Sequence, residues 1–445
     1  MTSPTPPSPL PTRQPGSLFI RGGRIIDPAS GRDEVGDLLV LNGRIAYSTA
    51  APKDSSIPII EAKGLIVAPG LIDMHVHLRE PGGGQKENIA TGTRAAAAGG
   101  FTSVVAMPNT NPVADGPNTI ALMKQRAIET ACINVFTTGC ITVGMKGEQL
   151  APIGALHKAG VVAITDDGHC VQNNEVMRRA LDYARMFDLT VLDHCQDYNL
   201  SAGGVMHEGY WSTVLGLPGW PRIAEDMIVA RNILLSELTG ARVLAQHLSS
   251  ANSVRLIREA KARGVKVYAE AMPHHIALTD ASIESYDTKF KMNPPLREKS
   301  DQDALLAGLA DGTIEILASD HAPHASYEKE VEFADAPFGI VGLETELGIF
   351  AKILIEGGVL TWPQMLEKLT INPSRLLKLG RGTLARDEIA DITIIDPKHT
   401  WTVDAEKFYS LSRNTPFHGW ELPARATHTI VEGRVVWSLA DQFGK

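Results

Sequence analysis

Between residues 71 and 322 the chain alternates two kinds of segment. One kind is short, apolar and rich in β-branched residues. It recurs at 71–78 (LIDMHVHL), 102–108 (TSVVAMP), 133–139 (INVFTTG), 160–167 (GVVAITDD), 189–195 (LTVLDHC), 242–249 (RVLAQHLS), 266–275 (KVYAEAMPHH) and 314–322 (IEILASDHA). Near-continuous apolar runs of this length suit strands buried on both faces of a parallel sheet. The other kind places apolar residues at i, i+3, i+4 and i+7, as in EVMRRALDYARMF (175–187), AEDMIVARNILLSEL (224–238) and ANSVRLIREAKARG (251–264). That spacing gathers them on one helix face. Gly160, Gly240, Gly264 and Gly312 stand where helix C-caps are expected, because glycine enters the left-handed region without a Cβ penalty. Eight strands alternating with helices predict an α/β fold, a (β/α)8 TIM-like barrel over 67–386. An open doubly wound sheet would carry a Gly-rich phosphate loop, and Gly82, Gly83 and Gly84 lack the GxGxxG spacing.

The two ends follow a different pattern. SLFIRGGRIIDP (17–28), DLLVLNGRIAY (37–47), ADITIIDP (390–397) and THTIVEGRVVW (427–437) read as short strands with turns. FIRGGRIID and TIVEGRVVW share an apolar–x–x–Gly–Arg–apolar pattern, and both are expected to be strand–turn–strand units with glycine at the turn. The simplest arrangement is one small β-sandwich domain built from 17–66 plus 387–438, with the barrel inserted between its halves. Residues 1–16 carry six prolines and no apolar core, which predicts a disordered arm and no signal peptide. No apolar run reaches the ~18 residues of a membrane helix. A net charge of −9 argues against a nucleic-acid partner. Cys132, Cys140, Cys170 and Cys195 show no CxxC spacing and fit a reducing cytoplasm.

Chemistry gathers at the ends of the strand segments. In strict alternation Asp73, His75, His77 and Arg79 face one way and Ile72, Met74, Val76 and Leu78 the other. One His-x-His is weak evidence of a site. Polar groups recur, however, at the ends of other strands: Asp166-Asp167, Asp193-His194, Gln246-His247 and Asp320-His321. Buried imidazoles and carboxylates are costly unless paired or bound to metal, and barrel active sites lie at this end. Four histidines and two aspartates suit Zn²⁺ or a similar divalent ion. They exceed the needs of one tetrahedral zinc, so two Zn²⁺ with a shared carboxylate are expected. Water activated between such cations attacks carbonyl carbon, which is hydrolytic chemistry. Spacing alone does not separate Asp166 from Asp167.

HVHLREPG (75–82), MPNTNP, TDDG, DHCQD, AGGVMHEG, FKMNPPLR, SDHAPH and APFGIVGLET together resemble the dihydroorotases of the amidohydrolase superfamily, of the class I bacterial type. The likeness runs from about residue 17 to 438. It implies zinc-dependent, reversible cyclisation of N-carbamoyl-L-aspartate to dihydroorotate in pyrimidine synthesis. It also implies that His75, His77 and Asp320 hold one zinc, that His194 and His247 hold the second, and that Asp167 bridges. Asp320 would then be the proton shuttle. Arg79, Asn109, Asn293, His324 and backbone groups at Phe338 and Gly339 would bind substrate, with the APFG segment closing over it. The resemblance further implies a homodimer, and names aspartate transcarbamoylase as a protein partner. Relatives such as hydantoinase bridge their metals with a carbamylated lysine, and GVVAITDDGHC contains no lysine. A catalytically silent scaffold subunit would be expected to have lost ligands, and all six are present here with Arg79. Gln196 stands where relatives often have Glu. His274, His275 and His321 are expected to be supporting residues. His157, His169, His207, His399, His418 and His428 are expected in loops or at the surface.

Overall fold

The computed structural model describes residues 14–46 and 56–442. The strand segments form β1 (Leu71–Val76), β2 (Phe101–Ala106), β3 (Asn134–Gly139), β4 (Ala163–Ile164), β5 (Thr190–Asp193), β6 (Val243–Ala245), β7 (Val267–Ala271) and β8 (Ile316–Leu317). They pair in chain order, all parallel. A parallel bridge from Val76 to His321 joins β1 to the chain leaving β8, and the His77 N–H donates to the His321 carbonyl at 2.9 Å. The helices that follow the strands are α1 (Ile89–Gly99), α2 (Pro117–Thr130), α3 (Ile153–Ala159), α4 (Asn174–Met186), α5 (Ile223–Thr239), α6 (Ala251–Ala262), α7 (Lys299–Ala310) and α8 (Trp362–Leu369). This is the expected (β/α)8 barrel.

Local chemistry explains the helix ends. Asn88 and Thr91 form a capping box that starts α1, and the Asn173 side chain accepts from two backbone N–H groups of α4. Gly160 and Gly240 are left-handed caps of α3 and α5. Gly264 and Gly312 come one residue after the caps of α6 and α7, also with positive φ. Ile72, Met74, Val105, Met107, Leu192, Leu244, Met272 and Ile316 fill the barrel interior. A larger apolar layer lies between strands and helices.

Of the expected arm, residues 1–13 lie outside the described residues. Gly16 is tied down: its N–H donates to Glu432 O at 2.9 Å and its carbonyl accepts from Gly43 N at 2.7 Å. Leu18–Asp27, Arg32–Leu41, Arg44–Ala46, Ile59–Glu61 and Ile66–Pro69 join Ile392–Asp396, Arg425–Val431 and Arg434–Ser438 in one hydrogen-bonded sheet. Both chain ends contribute to its core, including Ile20, Leu38, Val40, Val67, Ile392 and Ile430. TIVEGRVVW is the expected hairpin, with Glu432 and Gly433 both at positive φ. FIRGGRIID is not. It runs on as one strand with an irregularity between Ile20 and Gly23. Gly22 sits at φ 69°, and a Cβ on Gly23 would lie 2.5 Å from Val67 Cγ2. The glycine pair lets one strand bend and change partners, pairing first with Ile59–Glu61 and then with Ile66–Pro69.

His207 departs from its expected surface position. It is buried, with Arg297 Nη1 3.2 Å from Nδ1 and Arg222 Nη2 3.4 Å from Nε2. Burial first, then the two guanidinium charges, lower its pKa to about 3. The folded chain thus keeps His207 neutral where the unfolded chain protonates it. Its contribution to stability is complete above pH 6.5 and drains away as pH falls towards 3. His207→Asn is therefore expected to lose some stability at pH 7 but to decline less steeply in acid. The wild-type loss between pH 7 and 5 should exceed the variant's by about 2 kcal/mol. Denaturant titrations at the two pH values measure this, and equal declines would remove His207 as the cause.

Candidate active site

The His-x-His of β1 reaches the barrel mouth through a break in alternation. Between Asp73 and Val76 the strand advances three residues while β2 advances two, from Val104 to Ala106. That extra residue is a β-bulge, which re-aims side chains. Ile72 and Met74 point into the barrel core, and beyond the bulge His75 and His77 point inward as well. The expected single alternation over 72–79 therefore holds only in pieces. The bulge is pinned by Asp73, whose Oδ1 accepts from His75 N at 3.0 Å and Ser319 N at 3.3 Å. Its Oδ2 accepts the Ser319 hydroxyl.

Six side chains from five strands converge. Asp167 Oδ2 lies 3.3 Å from His75 Nε2 and 3.2 Å from His77 Nε2. Its Oδ1 lies 3.7 Å from His194 Nδ1 and 3.6 Å from His247 Nε2. Asp320 Oδ1 lies 3.1 Å from His77 Nε2 and 3.5 Å from His75 Nε2. His194 Nδ1 and His247 Nε2 approach to 2.8 Å. All six are buried. Asp166 faces elsewhere and serves the β3 loop, accepting from Ile141 N at 2.8 Å and Thr142 N at 3.1 Å. The structure thus separates the two aspartates that spacing left equivalent.

Electrostatics fits cation binding. Burial pushes the Asp167 carboxyl towards neutrality, but His75 and the neighbouring imidazoles of His194 and His247 prevail and hold its pKa well below the usual carboxylate range. Asp320 behaves alike, held low against burial by His75 and His77. Burial also opposes charge on His75, yet Asp167, Asp320 and Glu270 raise its pKa. Ionised carboxylates and clustered imidazoles, with His75 Nε2 and Asp167 Oδ1 lacking hydrogen-bond partners, form the donor set a divalent ion requires. His75, His77 and Asp320 place ligand atoms within 4.8 Å of one another, as do His75, Asp167 and His247.

Backbone strain accompanies the convergence. Arg79, His247 and Asp320 sit at φ 55°, 35° and 46°. Non-glycine residues persist there only when surrounding structure enforces it, a common condition at functional sites.

The residues around the cluster orient it. His75 Nδ1 is 2.6 Å from Glu270 Oε1, which also accepts from His247 N at 3.1 Å. Sequence reasoning missed Glu270. The signal was a lone acid inside the apolar run of β7. His77 Nδ1 is 2.8 Å from Asn109 Oδ1, and His194 Nε2 is 2.9 Å from Gln196 Oε1. Asn293 Nδ2 donates to that same Gln196 oxygen at 3.2 Å. Arg79 Nε donates to Pro323 O at 3.2 Å, and the arginine lies in the field of Asp320 and Asp167. His324 Nε2 meets Phe338 O at 2.8 Å, Gly339 N donates to Lys291 O at 2.9 Å, and Gly339 O accepts from Asn414 Nδ2 at 3.0 Å. The APFG backbone groups named here are therefore engaged by protein partners. His275 bonds Pro294 O, and His321 lies 3.4 Å from Glu87 Oε2, both in the supporting positions expected of them.

Residues 64–253 match the family model described as Dihydro-orotase-like. A dihydroorotase of Pelotomaculum thermopropionicum is 54% identical over 94% of this chain and 98% of its own length. One of Geobacter metallireducens is 51% identical over 95% and 99%. The chain belongs to the dihydroorotase family. Its fold extends further. The L-hydantoinase of Arthrobacter aurescens superposes with a TM-score of 0.86 at 24% identity, over 95% of this chain and 96% of that one. A D-hydantoinase from Bacillus sp. AR9 gives 0.83 at 26%, over 95% of each. Family membership and barrel agree with a cyclic amidohydrolase. Among the described residues no helix is long and apolar enough to cross a membrane.

Proposed function

We propose that the protein is a zinc-dependent dihydroorotase, interconverting (S)-dihydroorotate and N-carbamoyl-L-aspartate in pyrimidine biosynthesis. The observation that carries the reading is Asp167, whose two oxygens face separate histidine pairs, His75 with His77 and His194 with His247. A carboxylate so placed could be shared by two cations without a modified lysine. His75, His77 and Asp320 would hold one zinc and His194 with His247 the other. When bound, the pair supplies an acidified water and polarises the scissile carbonyl.

The protein's own part is positioning and proton transfer. Asp320 accepts the proton of the attacking water and returns it to the leaving ring nitrogen. In the biosynthetic direction it removes a proton from the carbamoyl nitrogen. Arg79 offers a fork to a substrate carboxylate, beside Asn109, Asn293, His324 and the Phe338–Gly339 segment. The same reading includes a homodimer, association with aspartate transcarbamoylase and residence in the cytoplasm, where Cys132, Cys140, Cys170 and Cys195 stay reduced. It also divides the chain into a terminal β domain and the barrel.

Purified protein assayed with dihydroorotate, hydantoin and allantoin, alongside metal analysis, tests the reading. Turnover of dihydroorotate with about two zinc ions per chain is expected. Preferential turnover of hydantoin would overturn it. Arg79→Met should raise the KM for N-carbamoyl-L-aspartate by roughly ten- to a hundredfold, the worth of a charged hydrogen-bonding pair, and leave metal content intact. Loss of metal with substrate would make Arg79 structural. Glu270→Ala frees the His75 ring to turn, so zinc affinity should fall by roughly ten- to a hundredfold in chelator competition. Unchanged affinity would mean that packing alone orients His75.

A further inference from the structure

Two buried lysines stand behind the substrate segment without a role in the chemistry above. Lys291 Nζ donates to Phe333 O and Ala334 O, each at 2.8 Å. Lys329 Nζ donates to Thr288 O at 3.1 Å, Lys291 O at 3.3 Å and Pro337 O at 2.6 Å. Both side chains are buried, and every one of these acceptors is a backbone carbonyl. The Lys291 ammonium also lies 4.7 Å from the centroid of the Phe338 ring. Phe338 is the residue whose carbonyl meets His324, and Gly339 beside it hangs on the Lys291 carbonyl. The packing there is close: a Cβ on Gly339 would lie 2.7 Å from His324 Cδ2.

An ammonium whose hydrogen bonds go to carbonyl dipoles and to no carboxylate is expensive to bury. Burial pulls Lys291 down to about 8 against the charge of Asp335, and burial with the Lys291 charge pulls Lys329 to about 7 against Asp287 and Glu328. Those acids act on the pair without accepting a hydrogen bond from either ammonium, so the two charges remain able to act on an anion brought by the substrate. The proposed reaction supplies one, because N-carbamoyl-L-aspartate carries two carboxylates where dihydroorotate carries one.

We propose that Lys291 and Lys329 are positioning residues that clamp the 333–339 segment and supply the positive field that favours the acyclic dicarboxylate over the ring. This rests on the dihydroorotase reading. The field acts on the open-chain substrate and on the transition state derived from it, and less on the ring. Because the overall equilibrium constant is fixed, the two directions must respond differently. Lys291→Met should raise the KM for N-carbamoyl-L-aspartate by roughly tenfold with little change in the synthetic kcat, an effect on the order of one charge acting at an effective dielectric of ~20. In the hydrolytic direction kcat should fall by the same factor while the KM for dihydroorotate stays put. Lys329→Met should act in the same sense, and Lys291→Arg, which keeps the charge, should restore most of the loss.

Steady-state kinetics in both directions on zinc-loaded protein tests this, with Lys329→Met deciding if Lys291→Met does not fold. Parallel rises in both KM values, or a charge-independent loss in the arginine variant, would overturn it. A wild-type protein that turns over neither compound would instead refute the underlying reading.

Discussion

Asp320→Asn is expected to cut turnover by about 10²–10⁴-fold in both directions, the usual worth of a positioned acid–base group, while the protein stays folded. Asparagine keeps the volume and one oxygen near His77, so the barrel mouth retains its shape. It has no basic oxygen with which to take a proton. The chain on either side of Asp320 is held by bonds that do not involve its carboxylate. The Ser319 hydroxyl donates to Asp73 and accepts from His321 N at 3.0 Å, which fixes the chain on either side. Circular dichroism, zinc content and kcat measured on the same preparation separate the outcomes. Near-normal turnover would remove Asp320 from proton transfer. Lost zinc together with lost turnover would make it a ligand first.

Asp167→Ala should be the most damaging change to metal binding. It removes the one carboxylate that faces both histidine pairs, leaving Asp320 beside His75 and His77 only. Removing one partner of a buried charged cluster costs about 3–5 kcal/mol, so zinc affinity should fall by roughly 10²–10⁴-fold at both positions. The adjacent Asp166→Ala provides the contrast. It breaks bonds to Ile141 and Thr142, so it should lower the melting temperature and spare zinc stoichiometry. If the two variants lost zinc equally, Asp167 would not bridge.

The barrel was legible because burial on both strand faces leaves its mark as apolar runs, and those runs recur eight times. Five of the six converging side chains could be named from position alone, since each closes such a run. The choice of Asp167 over Asp166 could not, because it depends on which carboxylate the β3 loop claims. The inward aim of His75 and His77 was inferred from alternation, yet it comes from a bulge that an extra residue in β1 creates opposite β2. Pairing with a distant strand decides that, and no local pattern encodes it. Glu270 was readable as an acid in an apolar strand, but its partner lies 195 positions away. His207 misled because it sits in a glycine-rich stretch, AGGVMHEG, whereas its buried contacts come from the distant Arg222 and Arg297. FIRGGRIID misled because two adjacent glycines serve a turn and a bent strand equally well.

The barrel is sealed where β1 meets the chain leaving β8, and the six-residue histidine and aspartate cluster straddles that seam. His75 and His77 are made early in translation and Asp320 late, some 240 residues afterwards. The four imidazoles and Asp167 are therefore synthesised before Asp320, the proposed acid–base group, emerges from the ribosome. Zinc captured before that moment would sit in a centre without its acid–base group. On the proposed mechanism, the strand that closes the cylinder would also bring in the acid–base group, so a chain cut short of residue 316 is expected to lack both.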